Sequence, residues 1–211
     1  MTAPHDFHEY LAACPLVAII RGVRPHEVEA IGDALFEAGV RIIEVPLNSP
    51  EPFASISRLA RRFGDRALIG AGTVLHVEQV AQVADAGGRI IVSPGTDRDV
   101  IEATVAAGLV SAPGYFTPSE AFTALKAGAH ALKLFPAEAA GPAVVKAQRA
   151  VLPADVPLLV VGGVTPDKMA GYLAAGADGF GLGGALYKAG QLPAQVAEQA
   201  HAFVAALEQE R

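Results

Sequence analysis

The chain has one cysteine, no tryptophan and an aromatic share of 6%. With Cys14 alone, no intramolecular disulfide can form, and no spaced set of cysteines and histidines reads as a zinc site. A reducing, cytoplasmic setting fits, with Cys14 expected as a small buried apolar residue. Charge is also scarce, at 18% of residues and a net −6. That balance excludes a basic nucleic-acid surface, and any anionic ligand must be held by a local positive site rather than by the field of the whole protein. The first residues, "MTAPHDFHEYLAACP", carry acids and histidines where a signal peptide would carry a basic region. No apolar run approaches the roughly 18 residues a membrane span needs, so no membrane partner is expected.

What the chain does have is alanine, glycine and rhythm. Its 211 residues are 52% apolar, a length and content that predict one domain over residues 1–211 with a substantial core. Ala-Gly closes an alanine-rich segment at Ala38-Gly39, Ala86-Gly87, Ala107-Gly108, Ala127-Gly128 and Ala175-Gly176. Each time a short apolar run follows. Glycine just past a helix end adopts the left-handed conformation that stops it, and short apolar runs suit strands buried on both faces. "NSPEPF", "FTPSEAF" and "VTPDKM" place Ser or Thr before proline with acid nearby, the pattern of an N-cap and a first-turn proline. In "VRPHEVEAIGDALFEAG", Val28, Ile31, Leu35 and Ala38 share one helical face. Strands are expected near 16–22, 42–47, 68–74, 90–95, 110–115, 131–136, 157–163 and 179–184. Eight regular βα units after a short N-terminal helix predict an α/β fold, a closed (β/α)8 TIM barrel. The rival is an open doubly wound sheet.

In such a barrel the reactive groups gather at the C-terminal ends of the strands. The first strand ends in Arg21, the second contains Glu44, the third offers Thr73, the sixth contains Lys133, and the last two end in Gly162-Gly163 and Gly183-Gly184. Alternation puts Ile43 and Val45 on one face and Glu44 on the other. It sets Lys133 inward with Ala131 and Phe135 while Leu132 and Leu134 face the helices. Arg21 alternates against Ile20, so all three charges can point inward, where an isolated one is costly. Of the five lysines, only Lys133 falls in an expected strand; Lys126, Lys146, Lys168 and Lys188 read as surface charges.

A buried amine beside another cation has a lowered pKa and can form a Schiff base with a ketone. Glu44 in an apolar pocket can shuttle protons, and Arg21 can grip a carboxylate with a bidentate fork. A purely structural Glu44–Lys133 salt bridge is the competing reading. The glycine pairs after the seventh and eighth strands sit where this fold cradles phosphate; "GGVTPDK" supplies a helix N-terminus for an anion, and "GGALYKAG" offers a second. Together these describe a Schiff-base lyase acting on a phosphorylated keto acid. A phosphosugar epimerase or isomerase, or a non-catalytic phospho-ligand barrel, are the alternatives. Glu138 reads as a solvated loop acid close to the site, His26 and His76 as surface residues, and His130 as lying outside the pocket. Tyr115 and Phe116 either cover the mouth or pack.

"IIRGV", "IIEVPLNSP", "LIGAGTVL", "VSPGT", "APGYFTPSEAFTALKAGAHALKLFPAE", "VVGGVTP" and "GLGGALY", in this order and nearly end to end, resemble the class I aldolases of 2-keto-3-deoxy-6-phospho sugar acids. The resemblance implies that Lys133 is the Schiff-base lysine and Glu44 the proton-transferring acid. It implies that Arg21 and Thr73 hold the pyruvyl carboxylate, and that Gly162, Gly163, Gly183 and Gly184 hold phosphate. It further implies a cytoplasmic homotrimer of sugar-acid catabolism that needs no cofactor and no metal, with pyruvate and glyceraldehyde 3-phosphate as products. Asn48, where the gluconate branch has arginine, points to the galactonate branch. "FPAEAAGP" leans toward the gluconate branch, and Gly184 replaces a serine common at the phosphate site.

Overall fold

A computed structural model describes residues 3–209. It opens with helix α1 (Ala3–Ala13) and then alternates strand and helix: β1 (Leu16–Ile19), α2 (Val28–Glu37), β2 (Ile42–Pro46), α3 (Pro52–Phe63), β3 (Leu68–Gly72), α4 (Val77–Asp85), β4 (Ile90–Val92), α5 (Arg98–Ala106) and β5 (Val110–Ala112). The second half runs β6 (Gly114–Tyr115), α6 (Pro118–Lys126), β7 (Leu132–Leu134), α7 (Pro142–Arg149), β8 (Leu158–Val161), α8 (Pro166–Ala174), β9 (Gly179–Leu182) and α9 (Pro193–Glu208). The strands pair in parallel in the order β5-β4-β3-β2-β1-β9-β8-β7-β6. The two outer members, β5 and β6, are consecutive in the chain and meet at Pro113, so the ring closes through the chain itself. The expected strand over 110–115 is therefore two segments. Proline has no N–H to give the ladder, and at this seam β5 pairs with β4 while β6 pairs with β7.

The helix stops fall where the Ala-Gly phrase places them. Gly39, Gly87, Gly108, Gly128 and Gly176 all have φ between +72° and +102°. Thr117 caps α6 with Glu120 closing the capping box, as "FTPSEAF" predicts. "NSPEPF" behaves differently: α3 starts at Pro52, preceded by Glu51 at φ +44°. Proline disfavours the helical conformation in the residue before it, so the two prolines push the start past Ser49. Ser49 Oγ instead accepts the Gly22 N–H at 2.9 Å, tying the loop after β2 to the loop after β1.

Two apolar layers follow from strand parity. Ile43, Val45, Ile69, Leu132, Leu134, Val160 and Phe180 face outward and pack with α2, α3, α8 and α9 through Ile31, Leu35, Ile56, Met169 and Phe203. Val17, Ile42, Leu68, Ile90, Val110, Ala131 and Leu159 face inward and meet Phe7 and Leu11 of α1, which plugs the N-terminal end of the barrel. The Asp6 carboxylate on α1 pairs with Arg89 just before β4. With its N-terminal end plugged, the barrel interior opens at the C-terminal ends of the strands.

Candidate active site

Glu44 and Lys133 occupy inward positions that continue the apolar interior layer, and both are buried, at 2% and 7% exposed. Parity puts them there, as expected from the alternation of "IIEVPL" and "ALKLFP". Room for the Glu44 carboxyl comes from β3. Gly72 has no side chain, and a Cβ there would stand 2.0 Å from Glu44 Oε2. That oxygen has no hydrogen-bond partner. Lys133 Nζ donates to the Ser93 carbonyl at 3.3 Å and lies 4.8 Å from the centroid of the Phe135 ring. Among the described residues no ion pair within 4.0 Å joins Glu44 to Lys133, which removes the salt-bridge reading.

Burial pushes the Glu44 carboxyl up to about 7, against the opposing pull of Lys133 and Arg21. Burial likewise pushes the Lys133 amine down; Glu44 resists this and Arg21 adds to it. Burial thus disfavours the charged form of both groups, each partly offset by the other's charge.

Arg21 does not point into the apolar interior. β1 ends at Ile19, and Arg21 lies beyond it in an exposed turn whose next residue, Gly22, has φ +85°. The position suits a group that must stay charged, since the rim spares it the desolvation an interior site imposes. Its Nη1 donates to Asn48 Oδ1 and, at 3.4 Å, to Thr73 Oγ1. Thr73 holds φ +56°, a left-handed conformation that costs a β-branched residue about 1–3 kcal/mol. The strain turns Thr73 out of the strand line at the end of β3.

Above this pair opens a cavity of about 460 Å3, walled by Arg21, Phe135, Gly162, Gly163, Gly183 and Gly184 among others. Lys133 and Glu44 are not part of this wall; Phe135, which is, has its ring centroid 4.8 Å from Lys133 Nζ. Gly162 and Gly163 have φ +112° and +62°, and Thr165 then leads into α8 with Pro166 in its first turn. "GGALYKAG" forms no helix start. After β9 the chain makes a tight turn, with Leu186 and Tyr187 N–H both donating to the Gly183 carbonyl, and α9 begins only at Pro193. Its glycines favour a turn over a nucleated helix. A Cβ on Gly184 would meet nothing within 4 Å, so the missing serine leaves open space rather than a repacked wall.

Other residues settle as follows. Lys126, Lys146, Lys168 and Lys188 are exposed, as are His26 and His76. His130 accepts the Ser111 N–H at 3.1 Å, at the start of the strand rather than its end. Tyr115 packs, with its hydroxyl donating to Gln148 at 2.8 Å, while Phe116 is exposed. Sequence reasoning missed Gly72, left Ser93 unplaced, and used Asn48 to choose a branch without seeing that it braces Arg21. The Gly70-x-Gly72 spacing in β3 was a signal for close approach across the barrel; nothing local marked Ser93, which contributes only its carbonyl. Among the described residues, the side chains close enough to share a metal ion are His5, Asp6 and Glu9 on α1, away from this cavity.

The barrel and the amine–carboxyl pair under its open end define a class, the aldolases. Residues 7–201 match the family model of KDPG and KHG aldolase. The chain is 50% identical over 192 residues to the 2-dehydro-3-deoxy-6-phosphogalactonate aldolase of Escherichia coli (strain K12), covering 91% of this chain and 94% of the relative. A solved structure of native KDPGal matches with a TM-score of 0.92 at 48% identity, over 93% of this chain and 95% of that one. A KDPG aldolase from Legionella pneumophila, with pyruvate captured at low pH as a covalent carbinolamine, matches with a TM-score of 0.83 at 29% identity, over 92% and 96%. The chain belongs to the KDPG and KHG aldolase family, and it is a carbon–carbon lyase.

Proposed function

We propose that the protein is a class I aldolase that cleaves 2-keto-3-deoxy-6-phosphogalactonate to pyruvate and glyceraldehyde 3-phosphate. The observation that carries the chemistry is the buried Lys133 amine beside a buried Glu44 carboxyl with which it forms no close ion pair and whose Oε2 has no hydrogen-bond partner. Lys133 Nζ attacks the C2 ketone and forms a carbinolamine; loss of water leaves an iminium. Glu44 carries the protons of these steps through a water. It then takes the C4 hydroxyl proton as the C3–C4 bond breaks, and the bond electrons pass into the iminium to give an enamine. The aldehyde leaves, C3 is protonated, and water releases pyruvate and the free amine. Arg21, braced by Asn48 and Thr73, holds the carboxylate; the backbone N–H groups around Gly162-Gly163 and Gly183-Gly184 take the phosphate.

The galactonate reading rests on the rim. Arg21 is the one cation in the cavity wall, and Asn48 supports it rather than adding a second charge. The relatives named for the galactonate substrate support the same choice. Borohydride reduction in the presence of pyruvate, followed by mass spectrometry, should place a covalent adduct on Lys133; an unmodified Lys133 would sink the mechanism. Comparing pyruvate release from the phosphogalactonate and phosphogluconate keto acids then decides the sugar. A cytoplasmic homotrimer completes the proposal. Val144 of α7 and Val151 just past its end are exposed near Gln148, whose amide reaches the carbonyl of exposed Phe116, and this apolar patch suits a subunit contact. Sedimentation at micromolar concentration reads the stoichiometry.

A further inference from the structure

The cavity does not end at the glycine pair. A second one, of about 440 Å3, lies on the other side of it and shares Glu138, Gly162 and Gly163 with the first. Glu138 divides the two. It sits on a 3-10 turn, Ala137–Ala139, between β7 and α7. Tyr172 clamps that turn, its hydroxyl donating to the Ala137 and Ala140 carbonyls at 3.3 and 3.2 Å. The backbone of Glu138 is therefore fixed while its side chain is exposed.

That side chain lies directly on the two glycines. A Cβ on Gly162 would stand 2.2 Å from Glu138 Oε2, and one on Gly163 would stand 2.6 Å from Glu138 Cγ. A carboxylate thus lies against the glycine pair whose N–H groups the proposed function gives to the substrate phosphate. A phosphate seated on the same glycine pair would meet a like charge at short range, a repulsion that solvent weakens but does not abolish. The space for one of them to leave is next door. Lys168, the cation of the second cavity, donates to the Gly163 carbonyl at 3.0 Å.

We propose that Glu138 is a displaceable carboxylate that sets the affinity of the phosphate end. In the unliganded protein it stands over Gly162-Gly163. An arriving phosphate pushes it into the second cavity, where Lys168 receives it. Glu138 touches neither the reacting carbons nor the Schiff base; it determines how tightly, and for which charge, the remote end of the substrate is held.

This inference rests on the aldolase reading, and the test separates the two. Inorganic phosphate is the probe, titrated as a competitor of keto-acid cleavage at low ionic strength in the wild type, E138Q and E138D. E138Q should bind phosphate about three- to tenfold more tightly, as removal of one nearby like charge predicts, and its KM for the phosphorylated keto acid should fall by a similar factor. E138D keeps the charge and should stay near the wild type. A residue with only a structural role would not produce a gain. K168M should weaken phosphate binding more in the wild type than in E138Q, since Glu138 is then left without its receiving cation. Equal or weaker phosphate binding by E138Q, or a gain equally large in E138D, overturns the proposal. Pyruvate trapping on Lys133 is read in the same samples. If the adduct forms while phosphate affinity does not change, this inference fails alone; if no adduct forms, the aldolase mechanism fails.

Discussion

The two ends of the barrel interior share one strand register and hold opposite contents. At the N-terminal end α1 fills the opening with Phe7 and Leu11, and its buried Asp6 pairs with Arg89. At the C-terminal end Glu44 is buried just as deeply, 2% exposed against 4% for Asp6. Each acid keeps one oxygen, Asp6 Oδ1 and Glu44 Oε2, without a hydrogen-bond partner, yet among the described residues only Asp6 has an ion pair within 4.0 Å. A buried acid with a close partner holds structure, and removing the partner strands a charge. A buried acid without one is free to exchange a proton, at a cost to stability that the rest of the fold must carry. Burial alone therefore does not separate the structural acid from the chemical one; pairing does.

Glu44→Gln should give the largest effect. It removes the titrating group and keeps the shape, so kcat for keto-acid cleavage should fall by about 10²–10⁴-fold, while the urea midpoint stays the same or rises. A variant with kcat within a few-fold of the wild type would mean that Glu44 is not the proton carrier. Asp6→Ala tests the other end. It should lower stability by about 1–3 kcal/mol, because Arg89 then keeps only the exposed Asp65 at 3.7 Å as an ion-pair partner, and activity per folded molecule should not change. Were Asp6→Ala to leave the unfolding midpoint unmoved, the contrast between the two ends would collapse.

Much of this contrast was readable from the chain. The Ala-Gly stops, the eight-unit spacing and the strand parity of Glu44 and Lys133 are local signals, and they led to the barrel and its buried pair. What was not readable depends on contacts distant in sequence. Ser49 looks like a helix cap, but its hydroxyl serves Gly22, 27 residues away. Arg21 looks like a strand residue because Ile19 and Ile20 precede it; the turn at Gly22 moves it to the rim. The plug was visible only as a short N-terminal helix, since Asp6 meets Arg89 across 83 residues. Glu138 read as a loop acid, and only the absence of side chains on Gly162 and Gly163, brought beneath it by β8, gives it a place.

The smallest expected effect is the most specific to the unpaired acid. Glu44 titrates near 7 in the folded protein and near 4.5, its ordinary value, in the unfolded chain. Between those values the folded state keeps a proton that the unfolded chain has released, so stability falls as pH rises through this window and levels off above it. Lys133, pushed down by burial, has the opposite slope: below its ordinary 10.5 the folded state releases its proton first, so stability rises with pH there. Glu44→Gln should abolish the first slope and, by removing the charge that holds the Lys133 amine up, push Lys133 further down, which acts in the same direction. The difference in unfolding free energy between that variant and the wild type should therefore grow in favour of the variant from pH 5 to pH 7. Other titrating groups cancel in the difference as long as they are far from position 44. A difference that stays flat across this range would show that Glu44 enters the folded state already ionised, and that its proton does not wait in the barrel for the substrate.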